Sequence, residues 1–355
     1  MYDGLQKCKK GVRWKEGVAV YESNALRNTY NLRQELINGT YELKPYHYFV
    51  VTDPKRREVM ATSIRDRQFQ RSLCDTYLYD AITHGFIRDN FACQTGRGMS
   101  DALDRMEVHM RRFYHEAGGN HGYVLKCDIH HFFAETDHDV AKAAVRKRVD
   151  DDDAYNAVCQ IIDSFGEKGI GLGSQVSQLI ELSVLDDMDH YIKERLGVKH
   201  YLRYMDDFIL FSETKDELRG WLSEIEAHLT GKGLSLNKKT AIFPIAQGVI
   251  FLHWRFRLTD TGKVVAKLSK ESISRERRKL KRMKKLVDAG ERDIADAARS
   301  FLSWAASAER QYAKRNAAKR KTGRIVRKGY NGEYVERMRA YFKELYGIDP
   351  YTAAV

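Results

Sequence analysis

The clearest pattern of apolar and polar positions is an apolar run, Tyr201–Phe211, that two adjacent carboxylates interrupt. Strand-forming residues flank Asp206 and Asp207 on both sides, and ionised carboxylates are costly to bury without a cation or hydrogen bonds. The natural compensator of oxygen ligands is a hard divalent ion such as Mg²⁺. The segment therefore predicts a metal site or, as the alternative, a β-hairpin whose Asp-Asp pair lies in an exposed turn.

Apolar periodicities of two and of 3.6 residues alternate along the rest of the chain. Strands are predicted over 46–51, 57–61, 123–129, 234–242 and 248–258. Helices are predicted over 24–38, 65–84, 100–117 with Ser100 as the N-cap, 137–149, 152–165, 174–196 and 215–231, and throughout the chain after 258. Strands interleaved with helices, followed by a helical tail, indicate an α+β lobe and an α-helical lobe.

Composition describes a globular protein, since 43% of the 355 residues are hydrophobic and 31% are charged. No apolar stretch approaches the roughly 20 residues that span a bilayer, and the N-terminus lacks the apolar region of a secretory signal. The five cysteines lie far apart without a CxxC pair, which favours reduced thiols and argues against a zinc site. We therefore expect a cytoplasmic protein without a membrane partner.

Basic residues outnumber acidic ones, 61 to 49. The formal net charge is +12 and the sequence pI is about 9.3, which indicates a polyanionic partner and above all nucleic acid. The alternative is a basic protein without such a partner. Basic residues concentrate in two segments with few acidic ones, 267–285 and 314–328.

A third carboxylate, Asp128, ends the strand predicted over 123–129. Adjacent antiparallel strands would bring it to Asp206 and Asp207. Such a set can hold two Mg²⁺ ions roughly 3.5–4 Å apart, and Mn²⁺ suits the same oxygen ligands. Phosphoryl transfer depends on this kind of positioning and charge neutralisation.

Seven segments, in order, resemble the motifs of reverse transcriptases. They are Pro54–Val59 with Arg65–Arg67 (the fingers segment that contacts triphosphate), Phe91–Gly98 (found in group II intron-type enzymes), Asp128–Phe133 (motif A), Leu172–Gln178 (motif B), Tyr204–Asp207 (motif C), Leu234–Thr240 (motif D) and Gly248–Trp254 (motif E, the primer grip). The resemblance implies an α+β right-hand polymerase fold, with fingers and a palm that contains an antiparallel sheet, plus an α-helical thumb.

The resemblance also implies a division of the chain. Residues 1–122 would form an N-terminal segment and the fingers, and 123–258 the palm, with a fingers insertion at about 140–172. Residues 259–355 would form the basic helical thumb and a C-terminal extension.

For the reaction itself, the resemblance makes Asp128, Asp206 and Asp207 the catalytic carboxylates that hold two metal ions. The backbone carbonyl of Ile129 would be a further ligand. Lys239 would protonate the leaving pyrophosphate, and its neighbour Lys238 is the alternative for that role.

For the substrates, the resemblance assigns Lys55, Arg57 and Arg67 to the triphosphate, although as surface charges they can equally be solvated. Phe133 would lie beneath the sugar and exclude a 2′-OH, while Phe132 is the expected core residue. Leu172 and Gln178 would face the template base and the incoming nucleotide, and Gln178 can alternatively cap its helix. Phe251, Leu252 and His253 would form the primer grip, with His253 at a position where this family usually has glycine.

Motif B narrows the resemblance. Most bacterial reverse transcriptases have QGxxxSP, whereas Leu172-Gly-x-x-x-Ser-Gln178 resembles the enzymes of diversity-generating retroelements. Those enzymes copy a template-repeat RNA into cDNA with errors opposite adenine. An apolar Leu172 lacks the hydrogen bonds with which a glutamine checks pair geometry, and one such contact contributes a few kcal/mol of discrimination at most.

The resemblance implies template RNA, a cDNA or primer strand and dNTPs as substrates, and a bacterial or phage origin. It also implies an accessory variability protein (Avd-like) and a structured RNA as partners. Two alternatives stay open: an antiphage-defence or retron-like reverse transcriptase without mutagenic retrohoming, and an inactive RNA-binding scaffold.

Overall fold

The computed structural model describes residues 1–52, 56–321 and 330–354, with side chains described outside 309–332. Its strands are β1 (His47–Val51), β2 (Arg57–Ala61), β3 (Tyr123–Asp128), β4 (Tyr201–Tyr204), β5 (Asp207–Ser212), β6 (Ala241–Pro244), β7 (Val249–Phe251), β8 (Trp254–Leu258) and β9 (Val264–Leu268). Its helices are α1 (Tyr2–Cys8), α2 (Glu16–Ser23), α3 (Ala25–Ile37), α4 (Ile64–Leu73), α5 (Tyr79–Thr83), α6 (Met99–Glu116), α7 (Phe132–Glu135), α8 (His138–Arg146), α9 (Asp152–Asp163), α10 (Gln175–Val184), α11 (Asp186–His190), α12 (Lys215–Thr230), α13 (Lys270–Asp288), α14 (Ile294–Lys321), α15 (Tyr330–Tyr346) and α16 (Pro350–Ala353).

These elements form two compact units. One unit contains Met1–Arg105 and Tyr123–Phe243, and the other contains Met106–Gly122 and Pro244–Val355. The predicted division into fingers, palm and thumb remains a prediction.

The first unit is built on a four-stranded sheet with the strand order β4-β5-β3-β6, in which β4, β5 and β3 are antiparallel. Leu125 lies opposite Leu210, and Cys127 lies opposite Phe208. All four side chains are buried in the main hydrophobic core, to which α8, α9 and α10 also contribute. Burial of this sheet face fixes which side chains point to the other face, since successive residues of a strand alternate.

A separate two-stranded hairpin, β1 with β2, also belongs to the first unit. Its register pairs His47 with Ala61 and Val51 with Arg57, and β1 is exposed along its whole length. The sequence correctly predicts both strands.

The second unit combines a three-stranded antiparallel sheet, β7-β8-β9, with the helices α13 to α16. Its core includes Leu280, Phe301 and Phe342, and the rings of Phe301 and Phe342 lie 5.6 Å apart. Basic residues cover the exposed side of α13, whereas Met283 and Leu280 point inward.

Several predicted elements differ from the structure. The strand predicted over 234–242 is restricted to β6 after a turn, and the one over 248–258 is a hairpin, β7 and β8. Strand β9 lies in the region predicted to be helical throughout. Helix α6 begins at Met99, so Ser100 is inside its first turn and is not the N-cap.

The two longest predicted helices are interrupted. One contains a π-helical turn, Cys74–Leu78, between α4 and α5, and the other contains the break at Leu185 and a π turn at Tyr191–Arg195. Apolar spacing alone does not distinguish these local insertions from a continuous helix. Within the described part of the chain, no helix has the length and apolarity that a membrane crossing requires.

Candidate active site

The acidic residues of motifs A and C meet across the sheet. Asp128, the last residue of β3, lies directly opposite Asp207, the first residue of β5. Directly paired residues project from the same sheet face with Cβ atoms about 4.5–5.5 Å apart. The two carboxylates therefore share the face opposite the core-facing pair of Cys127 and Phe208.

Asp206 lies in the two-residue turn that joins β4 to β5. Met205, the other turn residue, has a left-handed φ of 54°, and Tyr204 pairs with Asp207 at the base of the hairpin. The amide of Ile129 donates a hydrogen bond to the carbonyl of Asp206 (3.2 Å). This bond ties the turn to the residue that follows Asp128.

The surroundings of Asp207 oppose its ionisation. Its side chain is 23% exposed, its Oδ1 has no hydrogen-bond partner, and its Oδ2 lies 3.5 Å from Nζ of Lys126. Burial, together with the charges of Asp128 and Asp206, raises the pKa of Asp207 to about 7, although Lys126 opposes the rise. A cation beside the free oxygen would relieve this unfavourable setting.

The residues present fit a divalent metal ion. Among the described residues, no three His, Cys, Asp or Glu side chains form a ready-made metal site. Mg²⁺, however, commonly takes one or two carboxylates and completes its shell with water and substrate phosphates. The paired Asp128 and Asp207, with the unpartnered Oδ1 of Asp207, provide such an incomplete set.

Motif D approaches the same strand end by a main-chain contact. The amide of Asn237 donates to the carbonyl of Asp128 (2.7 Å), and the side chain of Asn237 accepts from the amide of Lys239 (3.1 Å). Lys238 and Lys239 are both exposed on this turn. The structure thus attaches the turn that carries both candidate lysines to the end of β3.

The two phenylalanines of motif A have different environments. Phe132 is 3% exposed and belongs to the core, as expected, whereas Phe133 is only half-buried. The carbonyl of Phe133 accepts from the amide of Ile170 (2.6 Å). A partly exposed ring shortly after Asp128 is available to a ligand, which the assigned contact with the sugar requires.

Motif B is held against the β1–β2 hairpin. The amide of Met60 in β2 donates to the carbonyl of Leu172 (3.0 Å). A Cβ atom on Gly173 would lie 2.9 Å from the carbonyl of Met60, and the φ of Gly173 is +136°. Glycine is required here because the two backbones approach too closely for any side chain.

Helix α10 begins with Ser174 as its N-cap, since Oγ of Ser174 accepts from the amide of Ser177 (3.0 Å). Gln178 therefore does not cap the helix. Its side chain is exposed and accepts a hydrogen bond from the thiol of Cys93 (3.3 Å), which links motif B to the Phe91–Gly98 segment.

The basic residues assigned to the triphosphate lie in different places. Arg57 is exposed at the first position of β2, where it pairs with Val51, the last residue of β1. Arg67 is half-buried, donates to the carbonyl of Thr62 (3.2 Å), and lines a cavity of about 210 Å³ beside Gly173–Gln175. Lys55 lies outside the described residues.

The predicted primer grip is a tight hairpin in the second unit. Phe251 is buried and pairs with Trp254, and the intervening Leu252 and His253 have left-handed φ values of 47° and 68°. A two-residue hairpin turn of this geometry normally favours glycine or asparagine. His253 therefore keeps the glycine-like backbone at a cost of roughly 1–2 kcal/mol.

Sequence reasoning missed two buried polar groups near these motifs. Arg203, in β4, forms a fully buried ion pair with Asp189, and Glu181 in α10 is fully buried with one oxygen unpartnered. Burial raises the pKa of Glu181 well above its ordinary value, and the charge of Asp206 adds to the rise. A charged Arg203 inside an apolar strand was a signal, whereas nothing in the sequence identified its partner.

Comparison with known proteins shows the family. The model described as "Reverse transcriptase (RNA-dependent DNA polymerase)" matches residues 54–256, more than half of the chain. The mixed helices and antiparallel sheet confirm the expected fold class. The chain therefore belongs to the reverse transcriptase family.

Solved telomerase structures are similar to the chain. Apo telomerase of Candida tropicalis truncated from the C-terminal domain has 12% identity and a TM-score of 0.49, over 68% of this chain and 60% of that one. Telomerase of Candida albicans with a TWJ fragment of telomeric RNA has 10% identity and a TM-score of 0.48, over 73% and 55%. The chain spans just over half the length of these proteins. No curated protein matches its sequence.

Replacing Asp207 with asparagine is expected to stabilise the metal-free protein at pH 8. Between about pH 4 and pH 7 the native carboxyl binds more protons than the unfolded one, so wild-type stability falls as pH rises through this interval. The gain of Asp207→Asn should grow over the same interval to at most about 4 kcal/mol. Thermal melts in EDTA from pH 4 to pH 8 measure it.

The matched control is Asp216→Asn, because Asp216 is an exposed aspartate whose side chain is 89% accessible. The difference in melting temperature between Asp216→Asn and the wild type should stay constant across the pH series. A pH-independent difference for Asp207→Asn would contradict the raised pKa.

Proposed function

We propose that the chain is an RNA-directed DNA polymerase that acts by two-metal phosphoryl transfer. The observation that carries this proposal is the register that places Asp128 opposite Asp207, with an oxygen of Asp207 left without a partner. Membership of the reverse transcriptase family supports it. Template RNA, a primer or cDNA strand and dNTPs are the proposed substrates.

The proposed roles are those that the reverse transcriptase motifs imply for these residues. Asp128, Asp206 and Asp207, with the carbonyl of Ile129, would hold the divalent ions. Bound Mg²⁺ supplies a more acidic attacking hydroxyl and neutralises charge on the phosphates. Lys239 would deliver a proton to the leaving pyrophosphate.

Other residues would place the nucleotide. Phe133 would lie beneath the sugar and exclude a 2′-OH. Arg57, Arg67 and Lys55 would bind phosphate oxygens, and the guanidinium fork of the two arginines is well suited to this contact. Phe251, Leu252 and His253 would contact the primer strand.

We propose further that the enzyme is of the diversity-generating type. Leu172 supports this finer proposal: its main chain is fixed to Met60 while its apolar side chain is only half-buried. An apolar side chain beside a template base would supply shape but no hydrogen bond. An Avd-like accessory protein and a structured RNA are the partners of this proposal.

The basic helix α13 supports nucleic-acid binding. Arg278, Lys281 and Lys285 are exposed on it, and phosphate contacts of this kind position a strand without reading sequence. The second predicted basic cluster, 314–328, lies where side chains are not described. We propose both segments as contacts for template–primer or structured RNA.

Synthesis of cDNA on an adenine-containing RNA template with Mg²⁺ and dNTPs tests the proposed activity. The control is the double variant Asp206→Asn, Asp207→Asn, which keeps side-chain size and removes both charges. Wild-type synthesis that the variant lacks is the expected result. Absence of synthesis with the accessory protein and RNA present would overturn the proposal and favour the inactive scaffold.

Sequencing of the products tests the finer proposal. Errors concentrated opposite adenine are expected, whereas ordinary fidelity at every base would favour the defence or retron-like alternative.

Leu172→Gln is expected to lower misincorporation opposite adenine by roughly tenfold, because it restores one hydrogen-bonding contact. Leu172→Met is the matched control, since it keeps an apolar side chain of similar volume and should keep the wild-type error rate. Equal error rates in all three proteins would contradict a role for Leu172 in fidelity.

Lys281→Gln with Lys285→Gln is expected to reduce the dependence of template–primer affinity on salt. Each lost phosphate contact lowers the slope of log affinity against log salt by about 0.7–0.9. Lys215→Gln with Arg219→Gln on α12 removes the same charge at the same spacing and should leave the slope unchanged. Fluorescence anisotropy over a salt series measures both.

A further inference from the structure

Arg203 and Asp189 form an ion pair from which solvent is completely excluded. Arg203 is the third residue of β4, two residues before Met205 in the turn of the β4–β5 hairpin, and Asp189 lies in α11. Both side chains are 0% exposed. A buried ion pair contributes little stability compared with apolar residues of the same volume, so stability alone does not account for it.

Asp189 accepts hydrogen bonds on both oxygens. Nε of Arg203 donates to Oδ1 (2.7 Å) and Nη2 donates to Oδ2 (2.5 Å), which is a two-point contact. The hydroxyl of Tyr201 donates to Oδ1 (2.5 Å), and the side-chain amide of Asn90 donates to Oδ2 (3.4 Å). These bonds fix the plane of the guanidinium.

The remaining terminal nitrogen of Arg203 reaches the hairpin turn. Nη1 donates to the carbonyl of Met205 (3.0 Å). Met205 has the left-handed φ of the turn, and its carbonyl belongs to the peptide that leads into Asp206. The orientation of this peptide sets where the side chains of Asp206 and Asp207 project.

The main chain of Arg203 is held as firmly as its side chain. Its amide donates to the carbonyl of Asp89 (2.9 Å), and its carbonyl accepts from the amide of Phe91 (3.2 Å). The edge of β4 that faces away from β5 is therefore attached to the Asp89–Phe91 segment. The guanidinium that contacts the turn thus extends from a main chain that is itself held in place.

We propose that Arg203, held by Asp189, is a positioning residue that fixes the Met205–Asp206 peptide and so preorganises the metal-binding carboxylates. This inference rests on the proposed function for its catalytic consequence. Groups that orient metal ligands without touching the metal typically affect metal affinity or activity by 10–100-fold.

Two variants separate positioning from folding. Arg203→Met with Asp189→Asn removes the charge of both partners, so no buried charge is left unpaired, and the introduced amide oxygen can still accept from Tyr201. Arg203→Lys keeps a charge beside Asp189 but lacks the planar fork that also reaches Met205. The control is Arg148→Met, which removes an ion pair with Asp186 on the same helix and does not involve the turn.

Two measurements decide the proposal. Hydrogen exchange of the peptide that covers 201–209 should become about tenfold faster in both Arg203 variants and stay unchanged in the control. The Mg²⁺ concentration for half-maximal primer extension should rise roughly 10–100-fold, while template–primer affinity stays within about twofold. A merely structural role would lower the melting temperature without changing the Mg²⁺ requirement.

Wild-type exchange and a wild-type Mg²⁺ requirement in a folded Arg203 variant would overturn the proposal. Absence of cDNA synthesis by the wild-type protein would overturn the proposed function instead. In that case the exchange comparison still decides whether Arg203 fixes the turn.

Discussion

The antiparallel register between β3 and β5 is the constraint on which the candidate site depends. The pairing that places Asp128 opposite Asp207 is the same pairing that buries Leu125 against Leu210 on the other face. A slip of one residue would exchange the two faces of the strand and would bring the carboxylate of Asp207 onto the core face. The hydrophobic core therefore fixes the positions of the carboxylates through the strands that carry both.

This arrangement places acids where ionisation is unfavourable. Asp207 faces two other carboxylates, whose effect Lys126 opposes, and Glu181 lies fully buried in the helix of motif B. Thr136 donates to one oxygen of Glu181 (3.0 Å). The apolar contacts around the sheet must compensate for these groups, since unpaired acids lower the stability of the free protein.

The sequence predicted the parts of the site that depend on local pattern. Strand-forming residues around Asp128 and Asp207 predicted that these carboxylates would meet across adjacent strands. Motif B was predicted from its resemblance to reverse transcriptases, and Gly173 within it has a backbone that only glycine allows. The strand predicted over 234–242 is broken because Asn237 begins a turn: its side-chain oxygen accepts from the amide of Lys239, and its carbonyl accepts from the amide of Thr240. The partner of Arg203 was not predictable, since only the fold brings α11 to β4.

The left-handed residues of the described chain have a consequence for engineering. Those that are not glycine are Cys93, His131, Met205, Leu252 and His253, and each lies in a reverse transcriptase motif. Each costs roughly 1–2 kcal/mol relative to an unstrained backbone. Selection for thermal stability alone would thus favour replacing them. A stabilised variant meant to keep the backbone of the candidate site should leave these five positions unchanged, and gain its stability from the rest of the molecule.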